Sequence, residues 1–195
     1  MYKPNNYENT QIDRPKVEAG GHICLIKKVE ETASKNGVPM IIVFFDFEAH
    51  DKQAFLMSQM FKDDIRPEKQ WPLIGRKYIL CEDSEGNTNR DYKRFITAWE
   101  KSNNVKINWN GAANQFANKK VGAVFGPVEN EYEGRVYVRN ELRWFVSVET
   151  ALSAEVPALK PLKGETSVPS PAASTSSSDG FMDIPADANE NYPFN

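Results

Sequence analysis

Apolar and polar residues alternate with a period of two along several segments of the chain, which is typical of strands. The clearest case is 40–48, MIIVFFDFE, where the odd-numbered residues from 41 to 47 form one wholly apolar face. The segment 22–31 has similar character, and Ser34 to Gly37 (SKNG) between them favours a tight turn, because Asn-Gly tolerates positive φ angles. The pattern therefore predicts an opening β-hairpin with a basic tip.

A different period marks one helix. In 91–103 the apolar residues recur at i, i+3, i+4 and i+7 spacing, and Asn89 or Asp91 can cap the first turn. We expect this helix to pack its apolar face on the core, with Trp99 buried. The residues of that face are Tyr92, Phe95, Ile96 and Trp99.

The remaining apolar segments complete a mainly β architecture. The segment 53–61 fits strand or helix, and its position after a hairpin favours a third strand, while 76–81 is compatible with a short extra strand. Strands are also expected at 119–128 and 135–148. Three strands, a helix and two strands are the order of the five-stranded oligonucleotide/oligosaccharide-binding (OB) barrel, with one helix between strands 3 and 4. We therefore predict an OB-fold barrel followed by a disordered C-terminal tail.

Composition divides the chain of 195 residues into four parts. With 40% hydrophobic and 11% aromatic residues, one folded core is expected. We assign an extended N-terminal arm to 1–19, the OB domain to 20–150, a disordered Pro/Ser-rich linker to 151–178 and an acidic-hydrophobic tip to 179–195. No apolar run reaches the length of a membrane span and the first residues do not have the pattern of a signal peptide, so a soluble, cytoplasmic protein is expected.

Charge is distributed unevenly between these parts. The net charge is −3, but residues 1–150 hold 22 of the 24 Lys and Arg and 21 of the 27 Asp and Glu. The acidic excess therefore lies after residue 150, and the charge of the body permits a nucleic-acid partner.

Non-specific binding of a single strand needs stacking aromatics interleaved with cations. In 135–148, basic and aromatic side chains alternate on the face opposite the one that carries Val136, Leu142 and Trp144, and we assign Trp144 to the core. Other candidates come from the hairpin tip, the opening strand, a loop and the helix. The DNA-binding candidates are Lys35, Phe44, Trp71, Arg90, Lys93, Arg94, Tyr137, Arg139, Arg143 and Phe145.

Catalytic and metal chemistry find little support. Cys24 and Cys81 are isolated and two histidines complete no zinc spacing, so free thiols and no cofactor are expected. Asp46, Glu48 and Asp51, or Asp63 and Asp64, could in principle hold Mg²⁺ for a nuclease, but such carboxylates more often serve solubility. We predict a protein that is not an enzyme.

The tip mixes carboxylates with apolar residues, which favours a docking peptide. It resembles the acidic tip of bacterial-type single-stranded DNA-binding proteins, which end an OB domain and a disordered linker with clustered carboxylates and Ile-Pro-Phe. The matching residues, and hence the partner-binding candidates, are Asp183, Ile184, Pro185, Tyr192, Pro193 and Phe194.

The body resembles single-stranded DNA-binding proteins encoded by phages and prophages of Gram-positive hosts. The similarity lies in the order and spacing of SKNG at 34–37, Asn89-Arg90, FIT at 95–97, VGAVFG at 121–126 and LRWF at 142–145. It implies a protein of the host cytoplasm that coats and protects single-stranded DNA during phage DNA replication and recombination, and recruits replication or recombination proteins through its tip. It leaves oligomeric state open and admits a homo-oligomer. The alternative from another class is an OB-type protein-interaction or assembly adaptor without DNA binding.

Overall fold

The computed structural model of the protein describes residues 2–3 and 15–162. Residues 4–14 of the predicted arm, and the predicted linker and tip from 163 onward with the partner-binding candidates, lie outside the described residues. The strands are β1 (Gly20–Ala33), β2 (Pro39–Phe47), β3 (Arg76–Leu80), β4 (Lys120–Tyr132) and β5 (Arg135–Val146). The helices are α1 (Leu56–Lys62), α2 (Arg90–Asn103) and α3 (Val148–Leu152). Among the helices of this part of the chain, none is long and apolar enough to cross a membrane.

The five strands form one antiparallel sheet in the order β3-β2-β1-β4-β5, which confirms a mainly β protein. The predicted opening hairpin is confirmed, with Gly37 at a φ of 78° in its turn. A second hairpin joins β4 to β5 through Glu133 and Gly134, which both have positive φ, as a tight turn between twisted strands requires. Residues 129–132, expected in a connecting loop, extend β4 instead.

The prediction of a third strand at 53–61 is wrong, because this segment forms α1 and the third strand is β3. The cause lies in β2. The buried carboxylate of Asp46 accepts hydrogen bonds from the backbone N–H groups of Met57 (2.9 Å) and Ser58 (3.2 Å), which satisfies the first amides of the helix. The apolar pattern of 53–61 alone could not predict a hydrogen bond to a residue outside the segment.

The helix predicted at 91–103 is confirmed as α2, and the side chain of Asn89 accepts a hydrogen bond from the N–H of Asp91 at its start. Trp99 is 2% exposed, as expected. The rings of Phe95 and Phe145 lie 5.1 Å apart, and those of Phe45 and Phe145 lie 5.9 Å apart, so one cluster joins α2, β5 and β2. The curled sheet therefore surrounds a core that α2 covers on one side.

The two edge strands of the sheet approach each other without pairing. No β3–β5 ladder forms between the described strands, so the sheet is not closed into a barrel. The Nζ of Lys77 on β3 donates a hydrogen bond to the carbonyl of Leu142 on β5 at 3.2 Å. Burial lowers the pKa of Lys77 in this gap.

Residues just after β5 also belong to the folded unit. A Cβ at Gly21 would lie 1.8 Å from the carbonyl oxygen of Ala151, so this glycine is what allows α3 to approach β1. Further on, the N–H of Lys160 donates to the carbonyl of Pro127 (3.0 Å), and the N–H of Glu129 donates to the carbonyl of Lys160 (2.9 Å). Of the segment predicted as linker from 151, Ala151 is buried and Lys160 pairs with β4.

Candidate nucleic-acid interface

The hairpin of β4 and β5 carries an aromatic and basic surface, which we call the ribbon face. The pairs Val128–Arg139, Asn130–Tyr137 and Tyr132–Arg135 place six side chains on one side of the hairpin. Tyr132 is 66% exposed and Tyr137 is 42% exposed. The structure thus confirms that Tyr137 and Arg139 share an outward face.

The opposite face of the same hairpin has a different character. The pairs Glu129–Val138 and Glu131–Val136 bring carboxylates and aliphatic side chains to that side. Near the turn, the cations and tyrosines therefore lie on one face and two carboxylates on the other, while Glu141, further along β5, shares the outward side and pairs with Arg139.

A β-bulge changes the surface near the end of β5. Val124 pairs with Trp144 and Phe125 pairs with Leu142, so Arg143 has no partner across the ladder. The extra residue reverses the alternation of side chains. Phe145 consequently lies in the core at 3% exposure, and Trp144 lies on the outward side. The assignment of Phe145 to the DNA-binding face and of Trp144 to the core was therefore wrong.

A groove of about 520 Å³ lies between α2 and the end of β5, and we call it the α2 groove. Trp144 and Ser147 line one side of it. Among the described residues that line it there is no carboxylate. Its cations come from one stripe of α2, opposite the apolar stripe, and are Arg90, Lys93, Arg94 and Lys101.

Two guanidinium groups flank the indole of Trp144. The Cζ of Arg94 lies 6.0 Å from the centroid of the ring, and the Cζ of Arg143 lies 5.7 Å from it. Both distances fall in the range of cation–π contacts. Of the predicted residues, the structure therefore brings Arg90, Lys93 and Arg94 together, and it adds Trp144 to them.

Phe44 belongs to a separate surface on the outward side of β2 and β3. It pairs with Arg76, whose Cζ lies 5.7 Å from the centroid of the phenyl ring, and Ile42 beside it pairs with the exposed Tyr78. Lys35 is exposed at the tip of the first hairpin. In the order of the sheet these strands lie at the opposite edge from β5.

Two of the candidate residues hold the scaffold together. The Nε1 of Trp71 donates to the carbonyls of Phe45 and Gly75, both at 3.1 Å. The Nη1 of Arg143 donates to the carbonyls of Pro127 (3.3 Å) and Ala158 (3.1 Å), which ties the segment after α3 to β4. These polar groups are thus already engaged within the protein.

The carboxylates considered for a metal site lie among hydrogen-bond donors. The backbone N–H of His50 lowers the pKa of Glu48 from its usual 4.5 to about 2, against the effect of burial and with help from the His50 ring and Lys120. Burial raises the pKa of Asp51, but hydrogen bonds from His22 and two backbone N–H groups bring it below its ordinary value. Across residues 2–3 and 15–162, no three metal-binding side chains come together.

Several residues of these surfaces were missed from the sequence. Trp144 points outward because of the β-bulge at Arg143, and no sequence pattern indicates that bulge. Lys101 could have been found, since it continues the spacing of Arg90 and Arg94 on the polar side of the helix. Tyr132 and Arg135 flank Glu133-Gly134, so reading those two residues as the turn would have placed them opposite each other.

No protein-family model matches the chain, and a search of curated proteins finds no match. Function is therefore inferred from the chemistry of the ribbon face and the α2 groove.

Proposed function

We propose that the protein binds single-stranded DNA without sequence preference. The observation that carries this proposal is the ribbon face, where the exposed Tyr132 and Tyr137 lie among Arg135 and Arg139. Aromatic rings stack on any base, for about 1–3 kcal/mol per base, and cations nearby neutralise the phosphates. In a duplex the bases are already stacked on each other, so the tyrosines favour a single strand.

The distribution of charge supports the same partner. Exposed charges act over roughly 10 Å at 0.1 M salt, so local charge matters more than the net charge of −3. Arg135 and Arg139 share the outward face with the tyrosines, while Glu129 and Glu131 lie on the reverse side. A strand that approaches the ribbon face therefore meets Arg135, which has no carboxylate partner among the ion pairs of the described residues, and Arg139, whose charge is partly offset by Glu141 at 2.6 Å.

The strand order supports an OB-type arrangement. The sheet runs β3-β2-β1-β4-β5, α2 lies between β3 and β4, and Lys77 and Leu142 are hydrogen-bonded across the gap between the edge strands. A five-stranded, partly open barrel is the form in which OB folds bind oligonucleotides. With the resemblance of the body to phage and prophage single-stranded DNA-binding proteins, we assign the activity to coating and protecting single strands during phage DNA replication and recombination. The tip at 179–195 then recruits replication or recombination proteins.

One observation favours the adaptor function instead. Met40, Ile42, Tyr78 and Leu80 lie together on the outward side of β2 and β3, and Tyr78 and Leu80 are exposed. Exposed apolar patches commonly mark contacts with other proteins. An adaptor that does not bind DNA would retain its partner after changes to the ribbon face, and would lose it on substitution of Tyr78 by Ser.

Variants of the hairpin test the proposed function. Tyr137→Ala should weaken binding of an oligo-dT strand by about 5- to 150-fold, equivalent to one stacked base, and leave the salt dependence nearly unchanged. Changing Arg135 and Arg139 together to Gln should reduce the slope of log affinity against log salt by about 1.4, since each neutralised phosphate of a single strand contributes roughly 0.7. Val136→Ala, on the reverse face, is the matched control. Equal losses for Val136→Ala and Tyr137→Ala would refute a role for the ribbon face.

A further inference from the structure

We infer that a bound single strand continues from the ribbon face along β5 into the α2 groove, where Trp144 stacks a base and the cations of α2 contact the phosphates. This inference rests on the proposed function and adds the path of the strand. It depends on three features of the structure: the side of the sheet to which the side chains of β5 point, the charge of the groove and the surroundings of Trp144.

The side chains of β5 place the ribbon face and Trp144 on the same outward side, and the segment after α3 borders the path, since a Cβ at Gly126, the partner of Glu141, would lie 3.0 Å from Pro157. Tyr137, Arg139, Glu141 and Trp144 belong to cross-strand pairs that lie on the same outward side of β4 and β5. The bulge at Arg143 produces this arrangement, because without it Trp144 would point toward the core. Seven residues separate Tyr137 from Trp144, which corresponds to about 23 Å at 3.3 Å per residue.

A carboxylate lies on this path and is already engaged. The Oε1 of Glu141 accepts hydrogen bonds from the Nε of Arg139 (2.6 Å) and the Nδ2 of Asn130 (3.1 Å). Its negative charge is therefore offset by the neighbouring guanidinium. It still reduces the attraction for phosphate at this point, so Glu141→Gln should strengthen binding of a strand that crosses it.

The charge of the α2 groove is largely uncompensated. Of its four cations, Arg94 has a carboxylate within salt-bridge distance, that of Asp91 at 3.4 Å, and the ion pairs of the described residues include no partner for Arg90, Lys93 or Lys101. Like charges gathered on one helix face repel each other. An anionic ligand that neutralises them removes this repulsion, and a phosphate backbone supplies several charges in a row.

The surroundings of Trp144 favour nucleic acid over an acidic peptide. Its half-buried indole lies beside the guanidinium groups of Arg94 and Arg143. Unpaired bases bind by stacking on aromatic rings and on arginine planes. A peptide rich in carboxylates would use the cations without this platform, so we assign the groove to nucleic acid.

The length of the strand tests the path. OB folds cover about 4–16 nucleotides, so oligo-dT of about 6 nucleotides should occupy the ribbon face and one of about 16 should also reach the groove. Fluorescence anisotropy of labelled oligomers of both lengths is measured with three proteins: the wild type, Trp144→Ala combined with Arg94→Gln, and Tyr137→Ala. Thermal melting establishes that each variant is folded, and Arg94→Gln with Lys101→Gln is a second groove variant that leaves the indole in place.

We expect Trp144→Ala with Arg94→Gln to weaken the long strand by about 5- to 150-fold, whereas Tyr137→Ala weakens both lengths. Arg94→Gln with Lys101→Gln should weaken the long strand and reduce its salt slope by about 1.4. Neither groove variant should change binding of the short strand. Trp144→Phe should retain most of the affinity for the long strand, because it keeps a stacking ring. Unchanged binding of the long strand by folded groove variants would overturn the path while the proposed function stands. An equal loss for both lengths would also overturn it, since the groove would then be an independent site. If the wild type binds neither length, the proposed function itself fails. Binding of a labelled polyglutamate peptide that the groove variants abolish, with no effect of those variants on DNA, would assign the groove to acidic peptides.

Discussion

Replacing Phe145 and Trp144 by alanine, one at a time, tests the bulge in β5 that determines which of these neighbours is buried. Phe145 is 3% exposed and its ring lies within 6 Å of the rings of Phe45 (5.9 Å) and Phe95 (5.1 Å). Truncation of a buried phenylalanine costs about 3–5 kcal/mol of unfolding free energy. Because its neighbours belong to β2 and α2, which are fixed by the rest of the core, we expect little collapse and a loss near the upper value.

Trp144→Ala should cost far less. Its indole is half-buried and its contacts with Arg94 and Arg143 are cation–π contacts, which at such sites are worth about 0.5–1 kcal/mol each. We therefore expect a loss of roughly 1–2 kcal/mol.

In a domain of this size each kcal/mol of lost unfolding free energy lowers the melting temperature by about 2–4 °C, so Phe145→Ala should melt roughly 6–20 °C below the wild type.

Urea unfolding followed by circular dichroism measures both free energies, and equal m-values would show that the comparison is between similar unfolded states. The two losses should differ by at least about 1 kcal/mol, with Phe145→Ala the less stable. If Trp144→Ala is the more destabilised variant, side chains alternate along β5 without interruption, and the outward placement of Trp144 is refuted.

Three other changes test the core, the loop after β2 and the tip. Trp99→Ala should destabilise the fold by about 3–5 kcal/mol and affect DNA binding only through unfolding; a folded variant with an unchanged melting temperature that no longer binds would contradict this. The pKa of Glu48 is lowered in the folded state, so the difference in unfolding free energy between the wild type and Glu48→Gln should be constant above about pH 5 and should shrink as the pH falls from 4.5 toward 2. Urea titrations at several pH values measure this difference, and a difference that stays constant down to pH 2 would contradict the prediction. Deleting 179–195 should leave the unfolding free energy unchanged and abolish co-purification with DNA-processing enzymes, and retention of the same partners would argue against a docking role for the tip.

The features that were predictable from the sequence are those that local chemistry determines. The helix at 90–103 follows from the cap at Asn89 and a regular apolar stripe, and the first hairpin follows from Asn36-Gly37. The features that were not predictable depend on distant contacts. The segment 53–61 became a helix through the carboxylate of Asp46.

The parts of the candidate site that depend on regular strand or helix spacing were also predictable from the sequence. Tyr137 and Arg139 share the outward face that their alternation indicated, and Arg90, Lys93 and Arg94 lie together because helical spacing requires it. Phe145 and Trp144 exchanged places because one bulged residue shifts every side chain that follows it. The shift is visible in the pairing of β4 with β5, and the sequence of β5 alone does not indicate it.

A titration of intrinsic tryptophan fluorescence with single-stranded and then duplex oligonucleotide of mixed sequence, at two salt concentrations, tests the central claim most directly. Trp144 lies in the groove and Trp109 is exposed, so bound bases should change the emission of one or both, while Trp99 stays buried. Binding of the single strand should be tighter than that of the duplex and should weaken as salt rises, because displaced counterions contribute to the affinity. Equal affinity for the two forms, or no binding of the single strand at low salt, would contradict the assignment of this protein to single-stranded DNA.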